Sequence, residues 1–257
     1  MEVFLNPDAW IALLTLTFLE IVLGIDNIIF ISIATGKLPE EKRKKATKIG
    51  IFLAMFMRIA LLFGINLLIQ MKKPWFTIDW GWLQAGITGQ SIILLLGGLF
   101  LIYKSTNEIR EKVDEKGHEE KELSKAATKS FQSVILQIIM IDLVFSFDSI
   151  LTAVGMTNGV PGAIYIMITA VIVSVFVMMQ FAVPVGNFVN KHPSIQILGL
   201  SFLILIGFML LTESAHLSNA SIFGSHVTPV PKGYLYFAIS FSLFVEVLNM
   251  KTKKKYH

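Results

Sequence analysis

Long apolar runs separated by short polar stretches dominate this chain. A spanning helix needs about 20 mostly apolar residues. Seven runs approach that length: about 10–34, 47–70, 87–104, 131–156, 162–185, 195–212 and 233–250. Gly or Pro stands at an end of several or inside them, which helices tolerate in lipid because neighbours satisfy freed backbone groups. The pattern predicts an all-α, polytopic membrane protein of about seven transmembrane helices.

Composition agrees. Hydrophobic residues make up 54% of the 257 residues and charged residues 16%, against about 25% charged in a soluble domain; mean hydropathy is +0.68. With no cysteine, disulfide, zinc-thiolate and thiol-nucleophile chemistry is excluded. Residues 1–9 carry Glu2 and Asp8 but no Lys or Arg. They lack the basic start of a signal peptide, so the first apolar run is expected to stay in the mature chain.

The net charge of +4 comes from basic residues in the connectors and gives no reason to invoke nucleic acid. Six fall in 35–48, seven in 104–130, one in 186–194 and four in the C-terminal tail, eighteen on one predicted side. The other side holds Lys72, Lys73 and Lys232, and Arg58 lies inside a span. The positive-inside rule then predicts an outside N-terminus and a cytoplasmic C-terminus. Trp75, Trp80 and Trp82 fall in the outer 71–86 connector, where an interfacial aromatic belt belongs. The 104–130 connector reads as a solvated helical segment of mixed charge, with a metal sensor at His118 the less favoured alternative.

Self-similarity is the strongest signal. Glu20, Asp26, Asn27 and Ile28 lie over Asp142, Asp148, Ser149 and Ile150 at an offset of 122, and Pro39 and Pro161 obey the same offset. Each motif opens a unit of three helices. Three is odd, so the second unit enters the membrane from the opposite side. A 3+3 inverted repeat follows, plus a final helix: repeat one at about 10–104, a cytoplasmic connector at 105–130, repeat two at about 131–212 and a closing helix at about 233–250, all in one transmembrane domain. Transporters of this plan hold their cargo near the midplane at the repeat interface.

A carboxylate at membrane depth costs about 2.5–3.5 kcal/mol on insertion scales and marks function by default. The candidates are Glu20, Asp26, Asp142 and Asp148, with Arg58 and Glu246 as supporting intramembrane charges. Six residues place the two acids of a motif about 120° apart on a straight helix. Each helix is therefore either central or deformed between its acids, at Gly24 in one copy and at Ser146, bonding back to a helix carbonyl, in the other. Like charges this close need compensation. A divalent cation supplies it, and carboxylate, amide and hydroxyl oxygens favour Mg²⁺, Ca²⁺ or Mn²⁺ over zinc and copper. All five histidines fall outside the predicted spans. The predicted metal site is Glu20, Asp26, Asn27, Asp142, Asp148 and Ser149. The cation would be cargo, with no resident cofactor and no catalytic residue, the bilayer as environment and protons as counter-ion.

The runs LEIVLGIDN at 19–27, DLVFSFDSILTAVG at 142–155, NKHP at 190–193 and PKGYLY at 231–236 resemble the TerC family, of the larger LysE superfamily of exporters. The likeness extends from about Trp10 to Met250; Arg58, Glu213 and Glu246 fit it in less distinctive surroundings. It implies Mn²⁺ efflux, metal loading of secreted proteins and, for some members, tellurium resistance. The competing functions are an intramembrane aspartyl protease built on Asp26 and Asp148, although neither Asp sits in Gly-x-Gly-Asp, and a membrane scaffold for metal loading without transport.

Overall fold

The computed structural model describes residues 7–115, 130–157 and 159–255, with the side chains at 25, 26, 115 and 253–255 outside that description. The helices are α1 (Pro7–Gly36), α2 (Glu40–Phe63), α3 (Ile65–Gln70), α4 (Gly89–Glu115), α5 (Phe131–Met156), α6 (Ala163–Lys191), α7 (Pro193–Leu217) and α8 (Lys232–Lys255). The strands are β1 (Pro74–Asp79), β2 (Leu83–Thr88), β3 (Ser221–Ile222) and β4 (Ser225–His226). Seven of the described helices are long and apolar enough to cross a membrane. Many of their large apolar side chains point outward: Phe18, Phe56, Phe63, Phe176 and Phe237 are exposed, as lipid-facing residues should be.

Some boundaries differ from the sequence expectation. The 35–48 connector shrinks to residues 37–39, and Lys42, Arg43, Lys44, Lys45 and Lys48 ride on the first turns of α2. Lys and Arg are good helix formers, and their stems can lie on apolar surface while the charge reaches water. Pro39 precedes α2, and Glu40 and Glu41 occupy its first turn, where carboxylates complement the helix dipole. The expected second span at 47–70 is split at Gly64, between α2 and α3. His216, expected in a connector, lies in the last turn of α7. Much of the 105–130 connector, His118 included, falls outside the described residues.

Packing divides the chain into two compact units, each drawing on both halves of the sequence. The first contains α1, α2, α5 and α6. Here α1 runs parallel to α6: Gly24 meets Met178, Ser32 meets Gly186, and Gly36 meets Asn190, each pair 154 positions apart. Helix α2 runs parallel to α5, with Gly50 against Ile138 and Arg58 bonded to Ser146. Each glycine lets a partner side chain rest on helix backbone.

The second unit contains the strands with α4, α7 and α8. Helices α4 and α7 are antiparallel: Ser214 donates to the Ser91 carbonyl at 2.6 Å, Gly98 faces Gly207, and Lys112 bonds Gln196. The connectors at 71–86 and 213–232 were expected as loops. They instead build a four-stranded antiparallel sheet in the order β1-β2-β3-β4. Phe223 and Gly224 turn β3 into β4 with φ of 50° and 80°, the backbone of a two-residue hairpin. β2 passes straight into α4, where Thr88 and Ser91 exchange reciprocal hydrogen bonds of 3.0 Å and cap the helix.

Candidate functional site

The site lies within the first unit. Arg58 projects from α2 toward α1 and α5. Its guanidinium donates through Nη1 to Glu20 Oε2, through Nη2 to Asp142 Oδ1 at 3.1 Å and through Nε to Ser146 Oγ at 3.0 Å. Ser146 donates to Asp142 Oδ2 at 2.9 Å, and the Asn27 amide approaches Asp142 Oδ1 at 3.4 Å. Glu20, Arg58 and Asp142 are each no more than 5% exposed and Ser146 is fully buried. Both oxygens of Asp142 are therefore engaged, and two carboxylates share one guanidinium.

Burying such charges is tolerable only because the geometry is complete. Arg presents a planar fork of donors suited to carboxylates and stays charged. Removing one partner of a buried pair typically costs about 3–5 kcal/mol. A cavity of about 20 Å³ adjoins the cluster, lined by Asn27, Arg58 and Asp142 and by apolar groups including Ile31, Met55 and Met178. It has room for one water-sized occupant.

The predicted ligands divide. Glu20, Asn27 and Asp142 are brought together. Ser149 is buried, but its hydroxyl donates to the Ser146 carbonyl at 3.2 Å. Asp148 is half-buried on α5, and its backbone carbonyl accepts from Thr152 at 3.0 Å. Asp26 lies on α1, and its side chain is outside the described residues. Glu246 belongs to the second unit, half-buried on α8 beside an open cavity of about 340 Å³ with Ser194, Ser201 and Ser242. Among the described residues no three His, Cys, Asp or Glu side chains converge as a metal cage.

Of the two arrangements that the motif spacing left open, neither helix is broken: both continue through residues 20–26 and 142–148, and Glu20 and Asp142 are buried. Gly24 instead makes room for the Met178 thioether. Ser146 was expected to bond back to a helix carbonyl; its hydroxyl instead donates to the Asp142 side chain one turn earlier on α5 and accepts from Arg58. Its place one turn after Asp142 was visible in the sequence, but nothing there specified the partner across the helix interface.

The model of the integral membrane protein TerC family matches residues 5–256. The chain belongs to the TerC family. It is 46% identical to the UPF0053 inner membrane protein YgdQ of Escherichia coli K12 over 250 residues, covering 97% of this chain and 96% of that one. It is 43% identical to a UPF0053 protein of Haemophilus influenzae over 249 residues, 97% of this chain and 96% of that one. A third relative, the UPF0053 inner membrane protein YoaE of Escherichia coli K12, is 41% identical over all of this chain but only 45% of its own length. No solved structure matches. The resemblance carried by the two acidic motifs is thus borne out, and in this TerC protein acids from both motifs share the Arg58 guanidinium.

Proposed function

We propose that the chain exports a divalent metal cation, manganese, from the cytoplasm across the inner membrane in exchange for protons. One observation carries the proposal: Glu20 of the first motif and Asp142 of the second reach the same buried guanidinium, with Asn27 beside them. Carboxylate, amide and hydroxyl oxygens suit a hard or borderline divalent cation. Glu20, Asp26, Asn27, Asp142, Asp148 and Ser149 are its proposed ligands during transport. Family membership supports a transporter, and relatives named as inner membrane proteins support the location.

An inverted repeat accounts for the packing. The first helix of each half runs parallel to the second helix of the other half, α1 with α6 and α5 with α2. The third helices, α4 and α7, are antiparallel. The parallel pairs within the first unit and the antiparallel pair within the second are each what an inverted repeat predicts.

Expelling two positive charges against an inside-negative potential costs about 4.6 kcal/mol per 100 mV, so a coupled gradient must drive export. Proteoliposomes loaded with a Mn²⁺-quenched dye test this. Wild type should carry Mn²⁺ faster under an imposed pH gradient. Asp148→Asn, which leaves the Arg58 hydrogen bonds intact, should insert normally and lose flux. Unchanged flux in Asp148→Asn would refute the site, and indifference to the pH gradient would refute proton exchange.

A further inference from the structure

The cation-carrier proposal leaves one group unexplained. A site meant to attract a divalent cation has a permanent positive charge at its centre. Arg58 does not stand beside the carboxylates as a distant counter-charge. It uses three donor positions on Glu20, Asp142 and Ser146. Ser146 and Asn27 take up further lone pairs of Asp142. A metal ion binding Glu20 and Asp142 would need the same oxygens. It would also sit against a guanidinium that cannot shed its proton to make way.

We propose that Arg58 is the site's stand-in cation: it occupies Glu20 and Asp142 when cargo is absent, and cargo binds by displacing it. The inference rests on the cation-carrier proposal above. Cation and guanidinium are then alternative partners of the same two carboxylates. Bound to Arg58, both buried carboxylates are paired with a positive charge. The loaded site requires the Arg58 side chain to leave as a body.

The surroundings determine what leaving entails. The adjoining cavity of about 20 Å³ can receive a water-sized ion but not a guanidinium. Arg58 can therefore withdraw only if its packing changes. Met55 and Met178 line that cavity, and methionine side chains adapt readily to new packing. Because Arg58 belongs to α2 while its partners belong to α1 and α5, displacing it removes the polar bonds that tie α2 to both. Cargo binding and a rearrangement of α2 become one event, as alternating access demands. The exchange also sets selectivity by charge: a monovalent ion offers the two carboxylates no more than the guanidinium already does, whereas a divalent ion does.

A competitor tied to the site lowers apparent affinity by the fraction of time it occupies it. Removing it should therefore tighten binding, the reverse of losing a ligand. Purified Arg58→Gln should bind Mn²⁺ about tenfold more tightly than wild type by calorimetry. Its melting temperature should be low without Mn²⁺ and rise further on Mn²⁺ addition than that of wild type. Arg58→Lys, which keeps the charge, should bind close to wild type. A purely structural arginine predicts lower stability with no special rescue by Mn²⁺ and unchanged or weaker binding. Ser146→Ala keeps every charge and suits the case where Arg58→Gln does not fold. It loosens the hold on Arg58 by one hydrogen bond and should tighten Mn²⁺ binding about threefold. Weaker or unchanged binding in Ser146→Ala overturns the proposal. Wild type that neither binds nor carries Mn²⁺ overturns the carrier proposal with it. Wild type that binds Mn²⁺ while Arg58→Gln binds no tighter overturns the stand-in role alone.

Discussion

At the scale of single residues, the fold carries a charge cluster whose partial removal leaves a buried charge with fewer partners. Glu20, Arg58 and Asp142 are buried and mutually bonded. Glu20→Gln leaves Arg58 with one carboxylate; Arg58→Gln leaves two carboxylates without a cation; the double variant leaves neither an unpaired Arg nor a carboxylate pair. A double-mutant cycle on these two positions, measured by denaturation in mixed micelles, should give a coupling of about 3 kcal/mol. Additive effects would mean that the pair contributes nothing in the bilayer-like environment. These charges were legible in the sequence because an ionised group inside an apolar run has no neutral explanation. Ser146 was not: a serine in a helix is usually satisfied by its own backbone, and only the approach of α2 reveals that this one serves Arg58 and Asp142.

At the scale of elements, the closest helix approaches use glycines, small residues that let backbones come near where lipid is as apolar as leucine. A Cβ placed on Gly98 would lie 2.7 Å from the Gly207 carbonyl oxygen, and one on Gly207 would lie 2.9 Å from the Gly98 oxygen. Neither obstruction is the end of a flexible side chain, so the backbones themselves must part. Gly207→Val should cost about 1–3 kcal/mol and weaken the Lys112–Gln196 and Ser214–Ser91 bonds on the same two helices. Gly233→Val meets open space and is the control; equal loss of thermal stability in both would show that α4 and α7 do not depend on this crossing. The helices were legible from long apolar runs, which few other structures accommodate. The sheet was not, because β1 (PWFTID) is exposed at nearly every position and lacks a clean alternation, and β3 and β4 have only two residues each, too few for a pattern to register. The basic residues of α2 were assigned to a loop for a related reason: charge marks water, and a helix can extend into water.

At the scale of the whole molecule, the distribution of basic residues predicts how the chain sits in its membrane. Within the second unit, α7 and α8 are antiparallel, since Ser194 and Glu246 share a cavity with Ser201 and Phe241. The end of α4, the start of α7 and the end of α8 therefore lie together. Arg110, Lys112 and Lys251 belong to that end, and the opposite end carries the sheet, Lys72, Lys73 and Lys232. Trp75, Trp80 and Trp82 are exposed on the sheet's end, where amphipathic rings meet headgroups. The positive-inside rule then predicts the sheet outside and the Arg110 end in the cytoplasm. The native chain has no cysteine, so single cysteines can be introduced without altering a background. Ser225 is exposed on β4 and Asp114 is exposed near the end of α4. In intact spheroplasts a membrane-impermeant maleimide should label Ser225→Cys, while Asp114→Cys should react only after permeabilisation. Labelling of Asp114→Cys in intact spheroplasts would invert the orientation. The direction of exchange would not change with it, because in an exchanger the two ion gradients, not the orientation of the protein, set which way the cation moves; only the faces from which cargo and protons enter would swap.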